Sequence, residues 1–253
     1  MSIITASVAG VASIEIARPE KRNALSQAMY EAMAEAIAAA CTDSAVRALL
    51  ITGQPEVFTA GNDLEDFLQR PPVDSDSPVL RFMQALLACE KPVVAAVNGA
   101  AIGIGATMLL HCDLVYVSEQ ARLVLPFVGL GLVPEFASSL LLPQRLGQAK
   151  VAEKLLLGEP ITAAEAVELG IATAVLPASE VLAHARHMAE RFNALPSGAV
   201  RDTKRLMRAG SSAAIAQAMQ AEGAIFSQRL RSAEAIEALQ AFRQKRKPDF
   251  GKS

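Results

Sequence analysis

The chain has 253 residues, 52% hydrophobic and 20% charged, with 24 Lys and Arg against 26 Asp and Glu and a net charge of −2. At ~150 residues per domain this is one large domain or a core with an appended segment, long enough to bury roughly 70% of its unfolded surface without a metal or disulfide staple. Balanced charge gives no support to a nucleic-acid footprint or a polybasic membrane anchor, and a chain with no Trp and two Tyr offers no stacking platform for single-stranded bases.

Short strands are expected at residues 2–8 and 11–17 around Gly10, the second alternating as a half-buried strand does. The first twenty residues lack the charged n-region of a secretory signal, and Cys41, Cys89 and Cys112 are odd in number with no CxxC spacing. Both features lead us to expect reduced thiols and a cytoplasmic protein. Ser26 is placed to N-cap a helix over 26–40. VRALLIT, residues 46–52, reads as a buried strand. A short helix follows at 63–69, with Asn62 as its N-cap and Glu65 closing a capping box. RPPVDSDSP at 70–78 is a polar loop; a helix at 79–89 and a strand at 92–98 come next.

Val93 to Leu110 carries no charge over eighteen residues, the length of a membrane span. The Asn98-Gly99 turn signal and two further glycines break it, so strand, tight turn and a helix at 105–111 are expected instead. A strand at 113–117 completes an alternating α/β pattern. Beyond it, helices are expected at 134–142, 147–157, 163–169, 179–194, 198–209, 213–231 and 233–246, with one strand at 174–176. The fold class is therefore α/β, with a core over 1–195 and a helical segment over 196–253. Composition leaves open whether that segment packs on a partner subunit or on its own core.

GxxxxGK[ST], HExxH, GxSxG and GxGxxG are all absent. His184 and His187 stand three apart on an expected helix with no third metal ligand nearby, which fits a solvated face. His111, at the end of an apolar helix, reads as a satisfied buried histidine. The acids of NDLED lack the spacing of a calcium loop. Two glycine-bearing turns, FTAGNDLEDF at 58–67 and NGAAIGIGATM at 98–108, each open a helix. If their amide N–H groups converged they would suit a developing negative charge; the alternative is that the glycines only permit tight turns.

RPEKRNALS at 18–26, FTAGNDL at 58–64, KPVVAAVNGAAIGIGA at 91–106 and CDLVYVSEQARL at 112–123 together resemble the crotonase, or enoyl-CoA hydratase/isomerase, superfamily. The resemblance continues through LPQRLGQAKVAEKLLLGEPITAAEAVELGIATAV at 142–175 and AFRQKRKPDF at 241–250. It implies a spiral of repeated ββα turns with a helical C-terminal region that covers the active site and packs a homotrimer or hexamer. It also implies an acyl-CoA thioester as substrate, with CoA entering as part of that substrate and neither cofactor nor metal required. The resemblance places oxyanion donors at the backbone N–H of Asn62 and Ile104, and CoA contacts near Arg22, Ala24, Ala60, Asp63, Leu64 and Lys245. Glu65 stands where many members carry Lys and is given no CoA role.

Family hydratases use two glutamates to activate water; Thr107 and Phe127 hold their places here. A single acid, Glu135 in GLVPEFASS, matches the glutamate of the peroxisomal-type isomerases that convert 3-enoyl-CoA to 2-enoyl-CoA. Phe136 replaces the glycine that usually follows, which leads us to expect a narrowed acyl pocket, shaped also by Phe127 and the 70–78 loop. From the residues alone, Pro134-Glu135 reads first as an ordinary helix start. A helix N-terminus would lower the carboxyl pKa, while Leu132, Val133 and Phe136 around it would raise it. The expected activity is a beta–gamma to alpha–beta double-bond shift. Hydration, thioester hydrolysis and silent acyl-CoA binding are the alternatives.

Overall fold

The computed structural model describes residues 2–69 and 76–252, so most of the expected 70–78 loop lies outside the described residues. Ten strands form two sheets among the described residues. The larger contains β1 (Ile3–Val8), β2 (Val11–Ile16), β3 (Ala48–Thr52), β5 (Val93–Val97), β7 (Leu114–Ser118) and β10 (Ala174–Leu176), in the order β1-β2-β3-β5-β7-β10. The β1–β2 hairpin is antiparallel and every later pairing is parallel. The smaller sheet runs β4 (Val57–Thr59), β6 (Ala100–Ile102), β8 (Arg122–Val124) and β9 (Ile161–Thr162).

One plan repeats along the chain: β3 then β4, β5 then β6, β7 then β8. The first strand of each pair enters the large sheet and the second enters the small one. The small-sheet strands of these pairs are parallel neighbours, so the loops leaving their C-terminal ends fall side by side. This is what brings residues 60–63, 103–104 and 125–127 together. Their strands are too short for a two-residue period to show in sequence, and β4, β6, β8 and β9 were not expected. The Asn98-Gly99 turn joins β5 to β6. Gly99 has φ +67°, and a Cβ there would lie 2.0 Å from the Glu56 carbonyl oxygen.

All five residues of β3 and of β5 are buried. Parallel strands covered on both faces read as unbroken apolar runs, which explains VRALLIT and VVAAV. On one face Ala48, Leu50, Val94 and Ala96 meet Val181, Ala185 and Ala189 of α8 (Val181–Glu190). On the other, Leu49, Ile51, Val93 and Ala95 join the main core with α1 (Gln27–Thr42) and α3 (Pro78–Ala88). Ser26 caps α1 as expected, its side chain accepting from the Met29 amide at 3.4 Å.

The remaining helices are α2 (Leu64–Gln69), α4 (Ile104–Thr107), α5 (Ser138–Leu146), α6 (Gln148–Leu156), α7 (Ala163–Glu168), α9 (Ser197–Ala209), α10 (Ser212–Arg229) and α11 (Ala233–Arg243). Two expectations need correction. The first turn of the expected 105–111 helix is α, but Met108–His111 winds as a tighter 3-10 turn. The helix expected over 134–142 begins only at Ser138, so Pro134 and Glu135 precede it. Within the C-terminal segment α10 and α11 pack on this chain's own core. Phe226, Ala235, Ala238, Leu239 and Ala241 are buried there, and a Cβ on Gly131 would lie 2.6 Å from the Ala235 amide nitrogen. No helix among the described residues is long and apolar enough to cross a membrane.

Candidate active site

Two turns, after β4 and after β6, meet back to back. A Cβ on Gly61 would fall 2.8 Å from the Ile102 carbonyl oxygen, and one on Gly105 would fall 2.4 Å from Thr59 Cγ2. In the first turn Leu25 donates to the Gly61 carbonyl at 2.8 Å and accepts from the Asp63 amide at 2.9 Å. Asn62 sits between these bonds, so its own N–H faces away from Leu25. In the second turn Gly103 donates to the Val124 carbonyl at 2.9 Å, and Ile104 opens α4. A first helical residue has no acceptor within its helix. The N–H groups of Asn62 and Ile104 thus lie on adjacent turns without a hydrogen-bond acceptor among the described residues.

Asn62 is not the N-cap of α2. That position belongs to Asp63, whose carboxylate accepts from the Glu65 and Asp66 amides at 3.1 and 3.4 Å. The expected capping box does not form; Glu65 instead pairs with Lys21 at 3.3 Å. The Asn62 side chain turns to Tyr30 of α1, whose hydroxyl donates to Oδ1 at 2.5 Å. Tyr30 was not singled out from sequence, because a tyrosine in an Ala- and Met-rich helix reads as core.

Glu135 lies in an irregular segment before α5, and Thr107 at the end of α4 donates to its Oε1 at 2.5 Å. Part of the residue reaches the surface, yet Oε2 is shut off from solvent without a hydrogen-bond partner among the described residues. Burial pushes the carboxyl up to about 8; Thr107 pulls it down, and the charge of Glu222 adds to the rise. With no helix start at Glu135, burial prevails in the contest left open by the sequence. Glu135 also acts on Tyr30, whose phenol is held above its usual range first by burial and then by this carboxyl.

The turn after Glu135 is unusual. Phe136 and Ala137 both adopt left-handed φ, +58° and +56°, at a cost of roughly 1–2 kcal/mol per L-residue. The glycine expected from the resemblance would escape this cost. Two buried side chains hold the turn. The His111 ring stacks on Phe136 with centroids 3.9 Å apart, and its Nε2 lies 2.8 Å from the Phe136 carbonyl oxygen. Burial drives His111 down to about 4, so the ring is neutral and Nε2–H donates. Glu222, reaching in from α10, accepts from the Ala137 and Ser139 amides at 2.7 and 2.9 Å and from the Ser139 hydroxyl at 2.5 Å. His111 is thus the satisfied buried histidine expected. Glu222 was missed because its partners are more than eighty residues away in sequence. Phe136 is 1% exposed and stacks on His111. Phe127 is also buried, at 5%.

The other residues carried over from the resemblance divide. Arg22, Ala24, Ala60, Asp63 and Leu64 come together where the 18–26 segment is laced to β4. Asn23 donates to the carbonyls of Val57 and Phe58, and the Thr59 hydroxyl donates to the Asn23 carbonyl at 2.7 Å. Arg22 is exposed with φ +52°. Burial opposes ionisation of Asp63, but Arg18 at 2.8 Å and the α2 amides outweigh it and hold the carboxyl below its usual range. That carboxylate is committed to the fold. Lys245 is exposed just after α11 with φ +54°. His184 packs edge-on against Tyr116, whereas only His187 of the expected solvated pair is exposed. No group of three metal-binding side chains occurs among the described residues.

A family model described as enoyl-CoA hydratase/isomerase matches residues 6–253. The chain is 34% identical over 246 residues to enoyl-CoA delta isomerase 2 of Rattus norvegicus, which covers 95% of this chain and 63% of that protein. The chain therefore spans less than two thirds of that relative's length. It is 32% identical over 236 residues to 2,3-dehydroadipyl-CoA hydratase of Escherichia coli (strain K12), with 92% of each covered. The solved structure of Pseudomonas aeruginosa OdaA superposes with a TM-score of 0.93 at 53% identity, over 95% of this chain and 98% of that one.

Proposed function

The chain belongs to the enoyl-CoA hydratase/isomerase family, and on that premise we propose that it shifts the double bond of an enoyl-CoA from beta–gamma to alpha–beta, with Glu135 as the one base. The observation that carries this reading is the Glu135 carboxyl itself. Its Oε2 is shut off from solvent, its pKa is raised to about 8, and its Oε1 accepts from Thr107, which stands where the resemblance places a hydratase glutamate. Phe127, at the other glutamate position, cannot titrate.

The reaction needs one carboxylate. Ionised Glu135 takes a proton from the alpha carbon, and the electrons left behind spread into a dienolate. Charge develops on the thioester oxygen, where the N–H groups of Asn62 and Ile104 form an oxyanion hole. The same carboxyl returns the proton to the gamma carbon. No water enters or leaves. Arg22, Ala24, Ala60, Leu64, the Asp63 backbone and Lys245 are the proposed contacts for the CoA moiety. Assembly into a homotrimer or hexamer is part of the same reading and follows from the family resemblance.

Incubation with a 3-enoyl-CoA tests the proposal. The expected product has the same mass and the raised ultraviolet absorbance of a conjugated thioester. A product heavier by one water from a 2-enoyl-CoA, or free CoA, would replace it with hydration or hydrolysis. Binding without any product would leave only an acyl-CoA binder.

Thr107→Val gives a finer test. Its hydroxyl favours the ionised form of Glu135, so its loss raises the carboxyl further above about 8. A hydrogen bond to a charged group is worth about 1.5–3 kcal/mol, or roughly one to two pH units. The rising limb of kcat against pH should move up by that interval, with activity recovered on the alkaline side. An unmoved limb would free Thr107 from any role in holding the base.

A further inference from the structure

Cys41, in the last turn of α1, and Cys89, at the end of α3, bring their Sγ atoms to 3.3 Å. Sequence gave no sign of this pairing, because only the side-by-side packing of the two helices creates it. Cys89 is 1% exposed. Cys41 is half-buried and forms part of the wall of a cavity of about 220 Å³, which Arg47, Lys91 and Arg201 also line. Two ammonium groups flank the sulfurs. Lys91 Nζ donates to the Ala40 and Asp43 carbonyls at 2.6 and 2.5 Å, and Lys204 Nζ donates to the Lys91 carbonyl at 2.6 Å.

We propose that Cys41 and Cys89 are a dithiol that a hydroperoxide, entering by the basic cavity, closes into a reversible disulfide. The contact between the sulfurs and the charge of Lys204 bring Cys89 down to about 7, while the same contact raises Cys41. Near neutrality the negative charge of the pair therefore sits on Cys89, which accepts from the Cys41 S–H. Cys41, the accessible partner, passes its proton across the contact to the Cys89 thiolate as it attacks a peroxide oxygen. The O–O bond breaks, the departing oxygen takes the proton from Cys89, which becomes a thiolate again, and Cys41 becomes a sulfenic acid. The Cys89 thiolate then attacks the Cys41 sulfur; the S–O bond breaks, hydroxide leaves and is protonated to water, and the S–S bond forms. Two thiols lose two electrons and the hydroperoxide is reduced to water and an alcohol, or to two waters from hydrogen peroxide. The sulfurs must approach by about 1.2 Å to reach a bond of ~2.05 Å, within the range of small side-chain rotations.

This chemistry stands apart from Glu135 and its reaction. Its consequence is mechanical: the bond ties the far ends of the two helices whose near ends carry Tyr30 and Phe82, with ring centroids 5.6 Å apart.

The test treats the full chain with hydrogen peroxide, alkylates it under denaturing conditions and maps the peptides. Of three free cysteines, only Cys112 should remain alkylatable, and one peptide pair should link 41 to 89 with the loss of two hydrogens. Dithiothreitol should restore all three thiols. Cys112→Ser should keep the link, while Cys41→Ser and Cys89→Ser should each abolish it. The oxidised form should melt several degrees higher, as closure of a long loop predicts. Three unreacted thiols, a link through Cys112, or stable overoxidation of Cys41 without a link would each overturn the proposal.

Discussion

Glu135→Gln turns over a 3-enoyl-CoA roughly a hundred to ten thousand times more slowly than the parent, the usual range for losing a positioned base. The amide keeps the size of the side chain and an oxygen to accept from Thr107, so the site keeps its shape and the Kd for a conjugated product should change little. The parent supplies the matching pH profile. Only ionised Glu135 can accept a proton, and with its pKa at about 8 the rate rises about tenfold per pH unit below that value and levels above it. The variant should lack this limb. Stability provides the control for folding. The carboxyl is raised from 4.5 to about 8 in the folded protein, so its contribution is whole below 4.5 and lost as pH rises through about 8. The amide suffers no such loss. Melting scans should show the variant gaining on the parent from about pH 4.5 to pH 8, with a constant difference above. Turnover within tenfold of the parent, with the fold intact, would remove Glu135 from the proposed reaction.

The large sheet was legible at its centre because β3 and β5 are buried throughout and read as apolar runs. VRALLIT and VVAAV can be little else, and the Asn98-Gly99 turn between β5 and β6 shows in two residues. The small sheet was hidden, since three residues such as Val57–Thr59 carry no period. Those strands deliver the candidate site, so its location came from the resemblance and not from patterning. Local rules failed where distant partners competed. Asn62 looked like a cap, but Tyr30 took its side chain and Asp63 did the capping. Pro134-Glu135 looked like a helix start, but two left-handed residues delay α5 to Ser138. What stabilises that delay is Glu222 and His111, contacts that no local window contains.

The proposed oxyanion site rests on how closely its two turns approach, and Gly61→Ala probes that approach directly. Gly61 has φ +86°, and the added methyl would stand 2.8 Å from the Ile102 carbonyl oxygen. Backbone lies on both sides of the collision, so neither can rotate away; the turns must separate by a few tenths of an ångström. Asn62 follows Gly61 directly and Ile104 lies two residues after Ile102, so their N–H groups move apart with the turns. Loss of one such donor costs about a hundredfold to a thousandfold in kcat, and small misplacements of reacting groups approach the same figure. We therefore expect kcat to fall by on the order of a hundredfold, with KM less affected because CoA contacts outside the turn survive. Strain alone could mimic this through partial unfolding. Gly10→Ala separates the two effects: its φ is +74° and its methyl would meet Asn193 Oδ1 at 2.1 Å, in the β1–β2 hairpin. That variant should lose stability and keep kcat per folded molecule. If Gly61→Ala, measured per folded molecule, matches it, charge on the thioester oxygen is not held between these two turns.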